Sequence, residues 1–350
     1  MASRASARRA AARAGVGLAM LAAACSHTEP FAPGTPPPLG PPSNSLPRQL
    51  TFNPGDDRSP AVTGDGISYS RYDPGRGTAS QCLATLPVEG GTLRATFCPP
   101  PPTPPDSFVG TWLEPATSPS GRQVAFVWQR GDPLSIRAWT HHLTVAPVDS
   151  PAQGRQAMIA GWASDQRFYN TALKLTWVDE GTVRFLVSYD WVFKVKGGGA
   201  QRFADTLLVP RALMDLRVAD GSLTVVPGGD SVIAYAPAAE GGTWVIKEAD
   251  PVTLLRLDPG GALAVHGTFP GAVRDLAEVD GRVIAATGNT TLAWLDPVTG
   301  DTGSVQVTGP ANRLAPAGGR RVVVEVELDD RLFGAPAHLW LLELRPRTAH

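Results

Sequence analysis

Apolar and polar residues alternate in short runs along most of this chain. Ile67 and Tyr69 alternate with Ser68 and Ser70, which gives one strand an apolar face and a polar face. The run follows Asp65-Gly66, and Asp-Gly between alternating apolar residues predicts a tight hairpin, because both central residues of a type I′ turn need positive φ. Similar turns recur at Ser120-Gly121, Glu180-Gly181, Gly228-Gly229, Asp280-Gly281 and Gly318-Gly319, each followed by an apolar or alternating strand. A second feature is a Leu-rich strand that ends in proline. It recurs at residues 83–87, 143–147, 207–210, 254–259, 292–297 and 339–346. The two features take turns along the chain, six of each. That order predicts an all-β fold, a β-propeller of six four-stranded blades around a channel. The first feature is the hairpin of a blade's two inner strands and the second is its third strand. A blade is too small to bury both faces alone, so neighbours must stack on it. Two β-sandwiches are the alternative; they account for the turn spacing but not for the alternation. No period-3.6 stretch beyond residue 30 supports a helix.

Ring closure is also legible. Residues 49–52 precede the first hairpin and have no earlier blade to complete, while the last unit lacks an outer strand. An open ring would leave two unpaired edges. Residues 48–52 are therefore predicted to pair antiparallel with residues 338–344. Leu50 and Phe52 should alternate with Gln49 and Thr51 across the sheet faces.

Residues 49–71, QLTFNPGDDRSPAVTGDGISYSR, resemble the repeat of TolB-type β-propellers, and residues 115–128 resemble it less closely. The resemblance implies the propeller fold and an envelope setting; it implies no particular ligand.

The N-terminus changes the picture of location. Arg4, Arg8, Arg9 and Arg13 precede a short apolar run that ends in Leu21-Ala22-Ala23-Ala24-Cys25. The run is too short to span a bilayer as a helix. Small residues before a cysteine resemble the bacterial lipoprotein signal, which implies lipidation at Cys25; an ordinary secretory peptide is the alternative. Residues 26–47 are rich in Pro, Gly, Ser and Thr and read as a disordered tether, reaching about 70 Å when extended. The expected organisation is a signal over 1–25, a tether over 26–47 and a propeller over 48–346. The expected location is the cell envelope, with a membrane partner through the lipid.

Composition agrees with many short strands and tight turns: 37 Gly, 34 Pro and nine Trp among 350 residues. Basic and acidic side chains number 31 and 32, so nothing points to nucleic acid. Of three cysteines, Cys82 and Cys98 remain once Cys25 is set aside. They are equidistant from Gly90, the centre of a predicted hairpin at Glu89-Gly90-Gly91, so they should face each other and can form a disulfide; two free core thiols are the alternative. The proline run at residues 99–105 reads as a surface polyproline spacer, with docking into an aromatic groove of a partner as the alternative. Tyr189, Trp191 and Phe193 alternate on one strand, as core packing or as an exposed aromatic platform.

The chain has no nucleophile elbow, no zinc-protease helix motif, no phosphate or dinucleotide loop and no calcium loop. No cofactor and no metal is expected. His141 and His142, adjacent on a strand, should point to opposite faces and cannot readily chelate one ion. Channel carboxylates are the remaining candidates: Asp132, Asp165, Asp190, Asp230 and Asp275, any converging pair of which could do acid–base work. The leading expectation is a non-catalytic, lipid-anchored scaffold that binds a protein or glycan. The alternative is an exported hydrolase or lyase with carboxylates around the channel.

Overall fold

The computed structural model describes residues 47–52, 55–72, 81–101, 109–131, 140–160, 171–188, 193–195, 202–204, 211–327 and 336–346. The signal with Cys25, nearly all of the tether, most of the proline run, and Tyr189 and Trp191 lie outside these residues.

The first element among the described residues is a two-residue strand, β1 (Arg48–Gln49). The first blade follows as β2 (Asp57–Thr63), β3 (Gly66–Tyr72), β4 (Gln81–Pro87) and β5 (Ala95–Phe97). The second is β6 (Val109–Thr117), β7 (Gln123–Gly131), β8 (Thr140–Pro147) and β9 (Arg155–Ala160). The third uses β10 (Thr171–Asp179) and β11 (Thr182–Ser188). A side ribbon of β12 (Phe193–Val195) and β13 (Arg202–Ala204) intervenes before β14 (Ala212–Arg217) and β15 (Leu223–Asp230) complete it. The fourth blade is β16 (Val232–Pro237), β17 (Thr243–Lys247), β18 (Asp250–Leu257) and β19 (Leu263–Thr268). The fifth is β20 (Asp275–Val279), β21 (Arg282–Ala286), β22 (Thr291–Leu295) and β23 (Thr302–Gln306). The sixth has β24 (Ala311–Pro316), β25 (Arg321–Glu327) and β26 (Ala337–Glu343), with β1 as its outer strand. All pairings are antiparallel. This is the expected six-bladed propeller. Among the described residues the one helical element is a 3₁₀ turn, Pro151–Gln153.

The core lies between blades rather than within them, as stacked sheets require. Six clusters of buried apolar side chains each bridge one pair of neighbours. Leu83 meets Trp112 and Phe126 between the first two blades, for example, and Ala234 and Trp244 meet Leu276 and Val283 between the fourth and fifth.

The expected turns fall in place in five blades. Asp280 and Gly281 both take positive φ, 53° and 68°, as a type I′ turn needs. In the first blade Thr63 pairs with Gly66, so the loop is Gly64-Asp65 and the positive φ falls on Gly64. The fourth expected turn is misplaced. Gly228-Gly229 lies inside β15, and the fourth hairpin turns instead at residues 238–242, where Gly241 and Gly242 have positive φ. The third Leu-rich strand at 207–210 lies outside the described residues, and β14 fills its role with Leu213 and Leu216 buried.

Closure follows the predicted pairing in shortened form. Arg48 pairs with Leu341 and Gln49 with Trp340, and the Leu50 N–H donates to the Leu339 carbonyl at 2.7 Å. Leu50 is buried as expected, but so is Thr51, whereas Phe52 is 49 % exposed. The alternation stops at Leu50 because the Thr51 hydroxyl turns inward to accept the Leu339 N–H at 3.0 Å.

Cys82 and Cys98 form the disulfide, at the register the hairpin implies: Leu83 pairs with Phe97, one step inward. Replacing both cysteines by Ala is expected to cost about 3 kcal/mol, the loop-closure entropy of a cross-link of this span. The urea midpoint of the oxidised native protein against the double variant measures it; equal midpoints would show that the bridge adds nothing.

Candidate active site

The innermost strands of the first three blades break register at equivalent points. In β2 the break lies between Arg58 and Ala61, in β6 between Leu113 and Ala116, and in β10 between Leu173 and Thr176. A residue in left-handed backbone stands at each: Ser59 (φ 56°), Glu114 (φ 52°) and Lys174 (φ 52°). A bulge of this kind re-aims a side chain that the strand would otherwise bury between sheets. All three contribute to the channel lining. Two cavities of about 440 Å³ open along the channel and share Ser59, Glu114 and Arg313 at its waist. One lies where the inner strands begin and the other where they end.

Charged groups from five blades meet at the waist. Glu114 accepts hydrogen bonds from the Ser59 hydroxyl at 2.9 Å and the Lys174 N–H at 2.7 Å, and pairs with Arg313 at 3.3 Å. Lys174 Nζ sits 2.5 Å from Asp275 Oδ1 and also donates to the Leu276 carbonyl. The other Asp275 oxygen accepts the Leu314 N–H at 2.8 Å. Glu325, on β25 opposite Arg313, accepts the Ser59 N–H at 2.7 Å and faces Arg58 at 3.6 Å. Ser59 thus binds both Glu114 and Glu325, one through its hydroxyl and the other through its amide.

Burial decides the protonation of these groups. It pushes the Glu325 carboxyl up to about 7, opposed by the Ser59 N–H, Arg313 and Arg58 and assisted by Glu114. It pulls the Lys174 ammonium down, and Asp275 holds back part of the fall. Burial also pulls on the Arg313 guanidinium, but the surrounding carboxylates Glu114, Asp275 and Glu325 outweigh it and leave that group raised. Titratable groups shifted in this way by burial and by specific charge partners inside a cavity are candidates for acid–base chemistry.

Of the five carboxylates singled out from the sequence, Asp275 is in the cluster, 1 % exposed. Asp230 is not: it ends the outer strand β15, its side chain is 74 % exposed, and it pairs with Lys247. It sits on the blade rim because strand order, not turn chemistry, sets distance from the axis. Asp132, Asp165 and Asp190 lie outside the described residues. Glu114, Lys174, Arg313 and Glu325 went unrecognised. One signal for them was present: Ser59-Pro60-Ala61 and Glu114-Pro115-Ala116 stand at the same point of the first two repeats. His141 is half-buried, and burial and the neighbouring His142 lower its imidazole to about 4. Among the described residues no group of three or more His, Cys, Asp or Glu is placed to hold a metal ion.

No family model and no curated protein matches the chain. Solved structures do match it in fold. The PQQ-bound aldose sugar dehydrogenase of Streptomyces coelicolor aligns with a TM-score of 0.53 at 14 % identity, over 87 % of this chain and 99 % of that one. A luciferin-regenerating enzyme aligns at 0.53 and 10 %, over 86 % and 95 %. The calcium-binding protein regucalcin of Agrobacterium tumefaciens aligns at 0.51 and 14 %, over 86 % and 96 %. At such identities the likeness is one of fold. The expected non-catalytic scaffold is nevertheless corrected. It rested on the tether, the lipid anchor and the lack of a catalytic motif, yet the channel gathers a buried ionisable cluster from five blades, and propellers of this shape include enzymes. The chain is a six-bladed β-propeller with sugar dehydrogenase- and regucalcin-like neighbours.

Proposed function

We propose that this protein is an exported enzyme that hydrolyses or eliminates a bond of a small polar substrate within the channel, by general acid–base catalysis. The observation that carries the reading is Glu325, 3 % exposed, held near pH 7 and lining the cavity at the start of the inner strands. A group poised at that pH can both take and return a proton. Glu325 removes the proton from the attacking water or from the substrate and later delivers it to the leaving group. Glu114, tied to the same serine, holds Ser59 and Arg313 in place beside it. Arg313 and Lys174 supply the positive charge that stabilises an anionic transition state.

The leader fits this reading. Lipidation at Cys25 and the Pro-rich tether would hold the propeller at the envelope, with the channel free to receive diffusing solutes.

The test is turnover of a panel of esters, lactones and glycosides by the native protein and by Glu325→Gln. Glutamine retains an acceptor for the Ser59 N–H but cannot cycle a proton. For the substrate turned over, kcat/KM is expected to fall about 10²–10⁴-fold. With Glu325 acting as the base, the native rate should decline below an inflection near pH 7 that the variant lacks. Undiminished activity in Glu325→Gln would refute the assignment.

A further inference from the structure

The cavity at the start of the inner strands is lined by four arginines, Arg58, Arg211, Arg274 and Arg313, against three glutamates, Glu114, Glu325 and Glu327. Two of the arginines are committed. Arg58 pairs with Asp56, Glu325 and Glu327, and Arg313 with Glu114. The other two have no carboxylate partner among the described residues. Arg211 precedes β14, and its carbonyl accepts the Ser231 N–H at 2.5 Å, which ties that backbone to the start of the fourth blade. The nearest acid along the ladder, Asp230, is engaged by Lys247. Arg274 precedes β20 and donates to the neutral Asn312 side chain at 2.8 Å. It lies in a notch made by Gly288, where a Cβ would fall 2.3 Å from the Arg274 Cζ. Its guanidinium is therefore positioned, with donors left over.

The opposite cavity has the reverse balance, with Lys174 and Arg313 against Glu114, Asp275 and Glu278. The channel is thus polarised along its axis, and a cavity with low-dielectric walls focuses that field. Guanidinium forks match the geometry of carboxylate and phosphate.

We infer that the arginine-lined mouth is an anion site: Arg211 and Arg274 bind a carboxylate or phosphate group of a small substrate and hold the rest of the molecule over Glu325. The second half of that statement rests on the catalytic reading above; the first does not. A neutral molecule of the same size leaves both guanidiniums unsatisfied and is rejected.

Binding is measured by calorimetry on the full chain with three probes: malonate, inorganic phosphate and the neutral malonamide. Saturable binding of malonate or phosphate is expected, with none of malonamide. Malonate alone would mark a carboxylate site and phosphate alone a phosphate site. Arg211→Gln and Arg274→Gln should each weaken the binding at least about 10-fold, as loss of a charge-assisted pair does. Arg274→Lys, which keeps the charge without the fork, should fall between. Glu325→Gln should bind the anion at least as well as the native protein. A Glu325→Gln variant that binds the anion and also retains turnover would fail the catalytic reading alone. Absence of saturable binding by both anions, or affinity unchanged in both glutamine variants, would overturn the anion site.

Discussion

Deletion of residues 45–52 is expected to lower the melting temperature by about 10 °C or more, whereas deletion of residues 28–43 should leave it nearly unchanged. Both stretches look like leader sequence, but the first carries the outer strand of the sixth blade. Leu50 is 5 % exposed and packs with Ile67, Tyr69 and Leu86 of the first blade and Val323, Leu339 and Leu341 of the sixth. Emptying such a site costs about 2–5 kcal/mol. The deletion also removes the Thr51 hydroxyl that receives the Leu339 N–H, and the Arg48 guanidinium that binds the Glu89 carbonyl. Loss of the acceptor for the buried Leu339 N–H adds about 1 kcal/mol or more, whereas the exposed Arg48 contact adds little. The bared edge of β26 would then be free to pair with other chains, so aggregation on heating should accompany the loss. Calorimetry of the two deletions decides the matter; equal melting temperatures would refute closure by this strand.

Asp275→Leu is expected to destabilise the protein by about 3–5 kcal/mol, because it strands a buried cation and the Leu314 N–H together. The penalty should depend on pH. Burial lowers the folded-state pKa of Lys174 below its ordinary value, so the unfolded chain binds more protons and stability rises with pH. Removing Asp275 lowers that pKa further, so the variant should regain stability as the pH rises and Lys174 sheds its proton. The double variant Asp275→Leu, Lys174→Met should recover most of the loss, since replacing both members of a buried ion pair by apolar groups is often neutral. Urea midpoints of the three variants between pH 6 and 9 test this. A double variant no better than Asp275→Leu would show that the pair is not the source of the cost.

Much of the fold was legible because propeller blades advertise themselves through local chemistry. Asp280-Gly281 specifies its turn through φ, and the symmetry of residues 82–98 about Gly90 places two cysteines face to face. The reading slipped where local chemistry was shared by different roles. Gly228-Gly229 has the composition of a turn but serves within β15, where added Cβ atoms would meet the Gly261 carbonyl oxygen, at 2.5 Å, and the Val226 carbonyl oxygen, at 2.8 Å. Gly228 also takes positive φ, 68°, at the register shift between β14 and β15, so these glycines answer to a bulge as well as to close packing. The site was harder still. Its members come from β2, β6, β10, β20, β24 and β25, and their convergence depends on where each strand lies in its blade. Alternation misassigns Glu114 and Lys174 in particular, because a bulge shifts the face on which each residue emerges.

The bulges have a consequence for how such a channel changes over time. Ser59, Glu114 and Lys174 occupy backbone that glycine adopts without strain, while each of them bears a cost of about 1–3 kcal/mol. Replacing any one by glycine would relax the chain and erase a polar group from the waist. On the catalytic reading proposed above, stability and activity pull against each other at these three equivalent sockets, whose side chains can be exchanged while the six-blade frame stays as it is. A lineage that lost its reaction would drift toward glycine at these positions, and one that acquired a new reaction would first rewrite them.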